Sequence, residues 1–130
     1  MSGFASRLRC EDLPGDSRRL LARLVYHAAG GVSYVVPEGF VSDGASIPRL
    51  LWTLLGHPWA EPHGRAAVLH DWLYATGLVT RARADALFLE SLQALEVGRV
   101  KRWTLCAGVR AGGWLAWRRH RQRDRWPTLA

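Results

Sequence analysis

The chain has 130 residues, a formal net charge of +7, two cysteines and seven tryptophans. That is enough for a single domain with a packed core, and too few cysteines for a disulfide-stapled scaffold, which favours a reducing compartment. The amino terminus lacks an apolar segment of secretory type and no uninterrupted apolar run reaches the ~18–20 residues of a spanning helix, so a soluble protein without signal peptide or transmembrane segment is expected.

The first stretch, residues 1–37, reads as a small β region. Arg18–His27 and Val32–Val36 are β-prone runs flanking Ala28-Ala29-Gly30-Gly31, the pattern of a hairpin. An earlier strand near Phe4–Glu11, closed by Pro14-Gly15-Asp16, would make three antiparallel strands. Residues 38–64 read as an ordered loop, a short helix over Arg49–Leu55 and a Pro/Gly-containing connector. Residues 65–98 hold two helices: one from about Arg65 to Ala75 stopped by Gly77, the other capped by Thr80 and running to about Glu96. In the second, Ala84, Leu87, Phe88, Leu92 and Leu95 share an arc, with Asp85 at its edge. The short connection between the two predicts antiparallel packing. A third helix spans about Val100 to Arg123. The expected fold class is α+β: an N-terminal antiparallel hairpin or meander packed on two antiparallel helices, followed by a basic C-terminal helix.

Charge is uneven along this plan. Residues 1–98 carry nine Lys/Arg against ten Asp/Glu, whereas residues 99–130 carry the other nine basic groups against Asp124 alone. Trp103 to Trp117 is apolar nearly all round and suits a core or subunit contact, while Arg118 to Trp126 is too polar to bury. Such an end is either simply solvated or a partner-binding tail. The partners it suits are an anionic membrane surface, nucleic acid phosphates, or other proteins of a homo- or hetero-oligomeric assembly.

The chemistry-bearing stretch is Ala66-Ala67-Val68-Leu69-His70-Asp71-Trp72-Leu73-Tyr74. An ionisable pair inside an apolar helix is costly unless partnered. His70 and Tyr74 lie one turn apart on one face, and Asp71 points about 100° away. His70 can therefore face Asp85 on the neighbouring helix, which would accept its Nδ1–H, while Asp71 faces the Asp43–Pro48 loop. Two carboxylates with exposed loop carbonyls form an all-oxygen set that suits Ca²⁺. A histidine oriented by a buried aspartate suits a general base for water. Together they describe metal-assisted ester hydrolysis. The competing reading is a satisfied buried network that only fixes helix packing. Ser46 lacks the Gly-x-Ser-x-Gly elbow of a serine hydrolase, and the spacing of His57, His63 and His70 argues against zinc.

The ordered set Asp43-Gly44-Ala45-Ser46, His70-Asp71-x-x-Tyr74 and Asp85-x-x-Phe88 resembles the small bacterial and fungal phospholipase A2 family. That resemblance implies His70 as base, Asp85 as its orienting partner, and Tyr74 bonded to the buried carboxylate. It places Ca²⁺ on the Asp43 side chain, the Gly44 carbonyl and Asp71. Ala45 and Ala67 stand where that family carries cysteines, so packing must hold the scaffold instead. Over about residues 20–113 the pattern Val36-Pro37-x-Gly39-Phe40-x-x-Asp43-Gly44-Ala45-Ser46-Ile47-Pro48-Arg49, with Ala67-Val68-Leu69-His70-Asp71-x-Leu73-Tyr74, is similar to a domain of unknown function common in phages and prophages. It implies a place in the host cytoplasm during expression or in the virion. Two functions are thus expected: a phage-associated, phospholipase A2-like hydrolase, or a non-enzymatic virion or tail-assembly protein that retains a buried His-Asp network.

Overall fold

The computed structural model describes residues 2–15, 17–43 and 49–124. Among these described residues, six short strands precede four helices: β1 (Gly3–Phe4), β2 (Cys10–Leu13), β3 (Ser17–Leu20), β4 (Leu24–His27), β5 (Ser33–Val36), β6 (Val41–Ser42), α1 (Arg49–Leu55), α2 (Gly64–Thr76), α3 (Arg81–Ala94) and α4 (Arg99–Asp124). The strands form two antiparallel three-stranded sheets, ordered β1-β4-β5 and β2-β3-β6. The α+β class holds, and the helices lie where the sequence places them to within two residues.

The β region differs from the expected three-stranded meander. The Gly30-Gly31 hairpin is present as β4 and β5, in register from Leu24 opposite Val36 to His27 opposite Ser33. The run entering it, however, breaks after Leu20 and changes sheets. The Leu20 N–H donates to the Phe40 carbonyl, the Leu20 carbonyl accepts from Gly39, and the Leu21 N–H donates to Arg9. With those groups committed to the Arg9 and Gly39–Phe40 segments, β3 pairs with β2 and β6 while β4 pairs with β1 and β5.

Helix ends follow local chemistry. Gly77 caps α2 in the left-handed region at φ 62°, which glycine enters without a Cβ penalty. The Thr80 hydroxyl accepts from the Arg83 N–H at 3.1 Å and starts α3. That helix ends at Ala94, two residues short of the expected Glu96, because Glu96 adopts φ 58°. Gly64 opens α2 where the chain crosses itself: a Cβ there would lie 2.4 Å from the Trp59 carbonyl oxygen.

Two apolar clusters hold the layers together. In one, Leu24, Tyr26, Tyr34 and Val36 of the β4–β5 hairpin meet Val68, Leu69 and Leu73 of α2. In the other, Ala66 and Ala67 of α2, Phe88 and Leu92 of α3, and Leu105 and Val109 of α4 pack together. Each large side chain so buried contributes roughly 1.5–3 kcal/mol. Glu90 adds a polar tie, accepting from the Tyr26 hydroxyl and the Ala29 N–H and so pinning the hairpin to α3. Both cysteines are free. Among the described residues no helix is long and apolar enough to cross a membrane.

Candidate active site between α2 and α3

α2 is buried on nearly every side, including His70 and Asp71. The 3.6-residue repeat sends these two neighbours in different directions, and each finds a separate partner. His70 Nε2 lies 2.7 Å from Asp85 Oδ1. The Tyr74 hydroxyl, one turn along the same face, donates to the same oxygen at 2.7 Å. Phe88, one turn beyond Asp85, packs its ring 4.9 Å from the imidazole, and Tyr74 packs at 4.2 Å. The sequence thus brings His70, Tyr74 and Asp85 together as expected, with one correction: the imidazole meets Asp85 through Nε2, not Nδ1.

Burial alone would raise the Asp85 carboxyl, but hydrogen bonds from His70 and Tyr74, aided by the charges of His70 and Arg81, hold it below the usual carboxylate value. Burial and the neighbouring Asp85 push the Tyr74 hydroxyl upward, so it stays a donor. An ionised carboxylate only accepts, so the proton between the two rests on Nε2. In the neutral imidazole this leaves a lone pair on Nδ1. That atom is buried and has no hydrogen-bond partner among the described residues. A buried polar atom left in this state costs about 1–3 kcal/mol.

Asp71 turns toward the sheets. Its Oδ2 accepts the Ser42 hydroxyl at 2.5 Å, and Ser42 Oγ in turn accepts from Trp59 Nε1 at 3.1 Å. The chain Trp59–Ser42–Asp71 joins the connector, β6 and α2. Asp43, the next residue along, is exposed; Gly44 and Ser46 lie outside the described residues. Asp43 and Asp71 are oxygen donors of the type Ca²⁺ takes, yet a Ca²⁺ ion needs about six to eight oxygens. Among the described residues no three His, Cys, Asp or Glu side chains gather to hold a metal. The described donors therefore do not complete a Ca²⁺ site by themselves.

Four contributors escaped sequence reasoning. Ser42 and Trp59 satisfy Asp71 from segments with no motif of their own. Arg81 opens α3 and reaches both the Tyr74 hydroxyl (3.4 Å) and the Arg110 carbonyl (2.8 Å). Trp117 of α4 stacks edge-on against Tyr74 with ring centres 5.2 Å apart. Only Arg81 had a legible signal, seven residues after Tyr74 across a tight connection.

Comparison with known proteins gives a family but no chemistry. Residues 18–109 match the family model described as "Protein of unknown function (DUF1353)". The uncharacterized protein y4iH of Sinorhizobium fredii is 36% identical over 112 residues, covering 85% of this chain and 47% of that protein. The uncharacterized protein y4jT of the same organism is 39% identical over 46 residues, 35% of this chain and 14% of that one. The chain thus spans about half, or less, of the length of these relatives. No solved structure matches it.

Proposed function

The chain belongs to the DUF1353 family, and we propose that it is a hydrolase in which His70 Nδ1 takes a proton from an attacking water. Asp85 holds the imidazole through Nε2 and stabilises its cationic form, and Tyr74 fixes Asp85. The observation that carries this reading is the buried Nδ1, unpartnered among the described residues, on an imidazole whose Nε2 is held by Asp85. A base needs one ring nitrogen bare, and His70 Nδ1 meets that condition, as does His63 Nδ1 elsewhere in the core; of the two, only His70 combines it with a carboxylate held on the opposite nitrogen. The substrate we propose is an ester, and the motif resemblance to phospholipases A2 supports a phospholipid ester in a phage or prophage setting. Ca²⁺, where bound, would supply Lewis-acid polarisation of the ester carbonyl, held by Asp43, Gly44 and Asp71.

The test is product analysis on phosphatidylglycerol and short-chain esters, comparing wild type with His70→Gln and Asp85→Asn. Loss of general-base catalysis costs about 10²–10⁴-fold, so cleavage by wild type should fall at least a hundredfold in His70→Gln while the fold persists. Calorimetric titration of Ca²⁺ into wild type, Asp43→Asn and Asp71→Asn examines the metal separately. A folded wild type that cleaves no ester, with or without Ca²⁺, overturns the reading.

The complete burial of His70, at 0% exposure, favours a second reading: a non-enzymatic phage structural or assembly protein whose His70–Asp85–Tyr74 network sets helix packing. It predicts that His70→Gln lowers stability in a protein with no turnover to lose.

A further inference from the structure

Helix α4 uses one side to complete the core and presents a different kind of surface on the other. Leu105 and Val109 are each 1% exposed and face the second apolar cluster. At about 100° per residue, Val100, Trp103, Ala107, Ala111, Trp114 and Leu115 fall within an arc of about 120° on the outer side. All six are exposed, Val100 at 82%, Trp103 at 75%, Trp114 at 54% and Leu115 at 47%. A solvent-facing stripe of this composition is unusual for a helix already anchored by its inner side.

The stripe is bordered by cations. Between Glu96 and Asp124 the sequence has eight Lys/Arg and no acidic residue. Arg99, Arg102 and Arg110 line a cleft of about 260 Å³ beside Leu89 of α3, with Trp103 at its wall. The Arg118 guanidinium stacks 4.9 Å above the Trp114 ring, so an aromatic and a cation are presented together at the far end.

We propose that this outer face of α4 docks on an anionic lipid bilayer. Trp103 and Trp114 would sit at headgroup level, Val100 and Leu115 would reach the acyl boundary, and the flanking arginines would take lipid phosphates. Interfacial helices bind in this way, through apolar area on one face and Lys/Arg attraction to anionic headgroups. Nucleic acid would engage the arginines but leave Val100 and Leu115 in water. A second copy of the chain would set arginine against arginine, since the face offers no acid to pair them. The inference is independent of hydrolysis at His70.

Vesicles of ether-linked phosphatidylcholine, with and without ether-linked phosphatidylglycerol, measure binding without any cleavable ester. Wild type should float with the phosphatidylglycerol vesicles only, and added salt should weaken the association. Trp103→Ser with Trp114→Ser should lower the partition coefficient at least tenfold, and Arg99→Gln or Arg110→Gln about fivefold each. All four sites are exposed, and unchanged circular dichroism and melting temperature confirm that the variants fold. Failure to partition into anionic vesicles overturns the proposal, as does full binding by the double tryptophan variant. Retention on duplex DNA without vesicle binding would assign the face to nucleic acid. Self-association lost with the same tryptophans, again without vesicle binding, would assign it to a second copy.

Discussion

Tyr74→Phe removes one hydroxyl from the site without opening a cavity. The ring stays, with its packing against His70 and Trp117, and only the hydroxyl that donates to Asp85 at 2.7 Å and accepts the longer 3.4 Å contact from Arg81 is removed. A hydrogen bond to a charged acceptor contributes about 1.5–3 kcal/mol, and here both partners are buried, Tyr74 at 0% and Asp85 at 8% exposure. The expected loss is about 2 kcal/mol near neutral pH, read as a lower urea midpoint at unchanged slope. The pH dependence follows from Asp85. Its folded-state pKa is depressed below the ordinary aspartate value, so the carboxylate's stabilisation is present above that value and is lost as pH falls through the folded pKa. Without the tyrosine donor the folded pKa moves back up. The gap between wild type and Tyr74→Phe should therefore stay constant from about pH 7 down to about pH 4 and narrow below it. Tryptophan fluorescence during urea titration at several pH values measures both quantities. A loss under about 0.5 kcal/mol, or a gap that does not narrow in acid, would refute the claim that the hydroxyl stabilises an ionised Asp85.

Two further substitutions examine the supports around the site. Gly64→Ala would raise helix propensity by up to about 1 kcal/mol in an isolated helix, yet its Cβ would meet the backbone of Trp59 at 2.4–2.6 Å. The clash should dominate and lower the melting temperature markedly; a neutral or stabilised variant would show that the Trp59 segment yields easily. Ser42→Ala removes the donor to Asp71 and the acceptor for Trp59 Nε1 together, with an expected cost of about 3 kcal/mol. A double-mutant cycle with Asp71→Asn should show coupling of about 1 kcal/mol or more, and strict additivity would contradict the Trp59–Ser42–Asp71 chain.

The helical half was readable because its signals are local. Gly77 and Thr80 mark the turn between α2 and α3, and the His70–Tyr74 spacing places both side chains on the face that meets Asp85. Where the reading fell short, the deciding partner lies far along the chain. The break after Leu20 is set by hydrogen bonds to Arg9, Gly39 and Phe40, none of which leaves a trace in the run Arg18–His27. Ser42 is one residue from the predicted loop ligand Asp43, yet only the packing of β6 against α2 shows that it serves Asp71. The choice of Nε2 over Nδ1 depends on the imidazole's side-chain torsions within the fold, which residue spacing does not encode.

The two polar partnerships of α2 also act on the helix as a rigid object. Its apolar side chains are buried in almost every direction, from Ala66 and Ala67 against α3 and α4 to Leu69 and Leu73 against the hairpin. Hydrophobic burial alone therefore discriminates poorly between different angles of rotation about the helix axis. His70 and Tyr74 bonded to Asp85 on one bearing, and Asp71 bonded to Ser42 on another, remove that freedom as two bolts at different clock positions index a shaft. Cutting one pair would leave the helix keyed by the other; cutting both would leave a compact chain with no unique azimuth for its central helix.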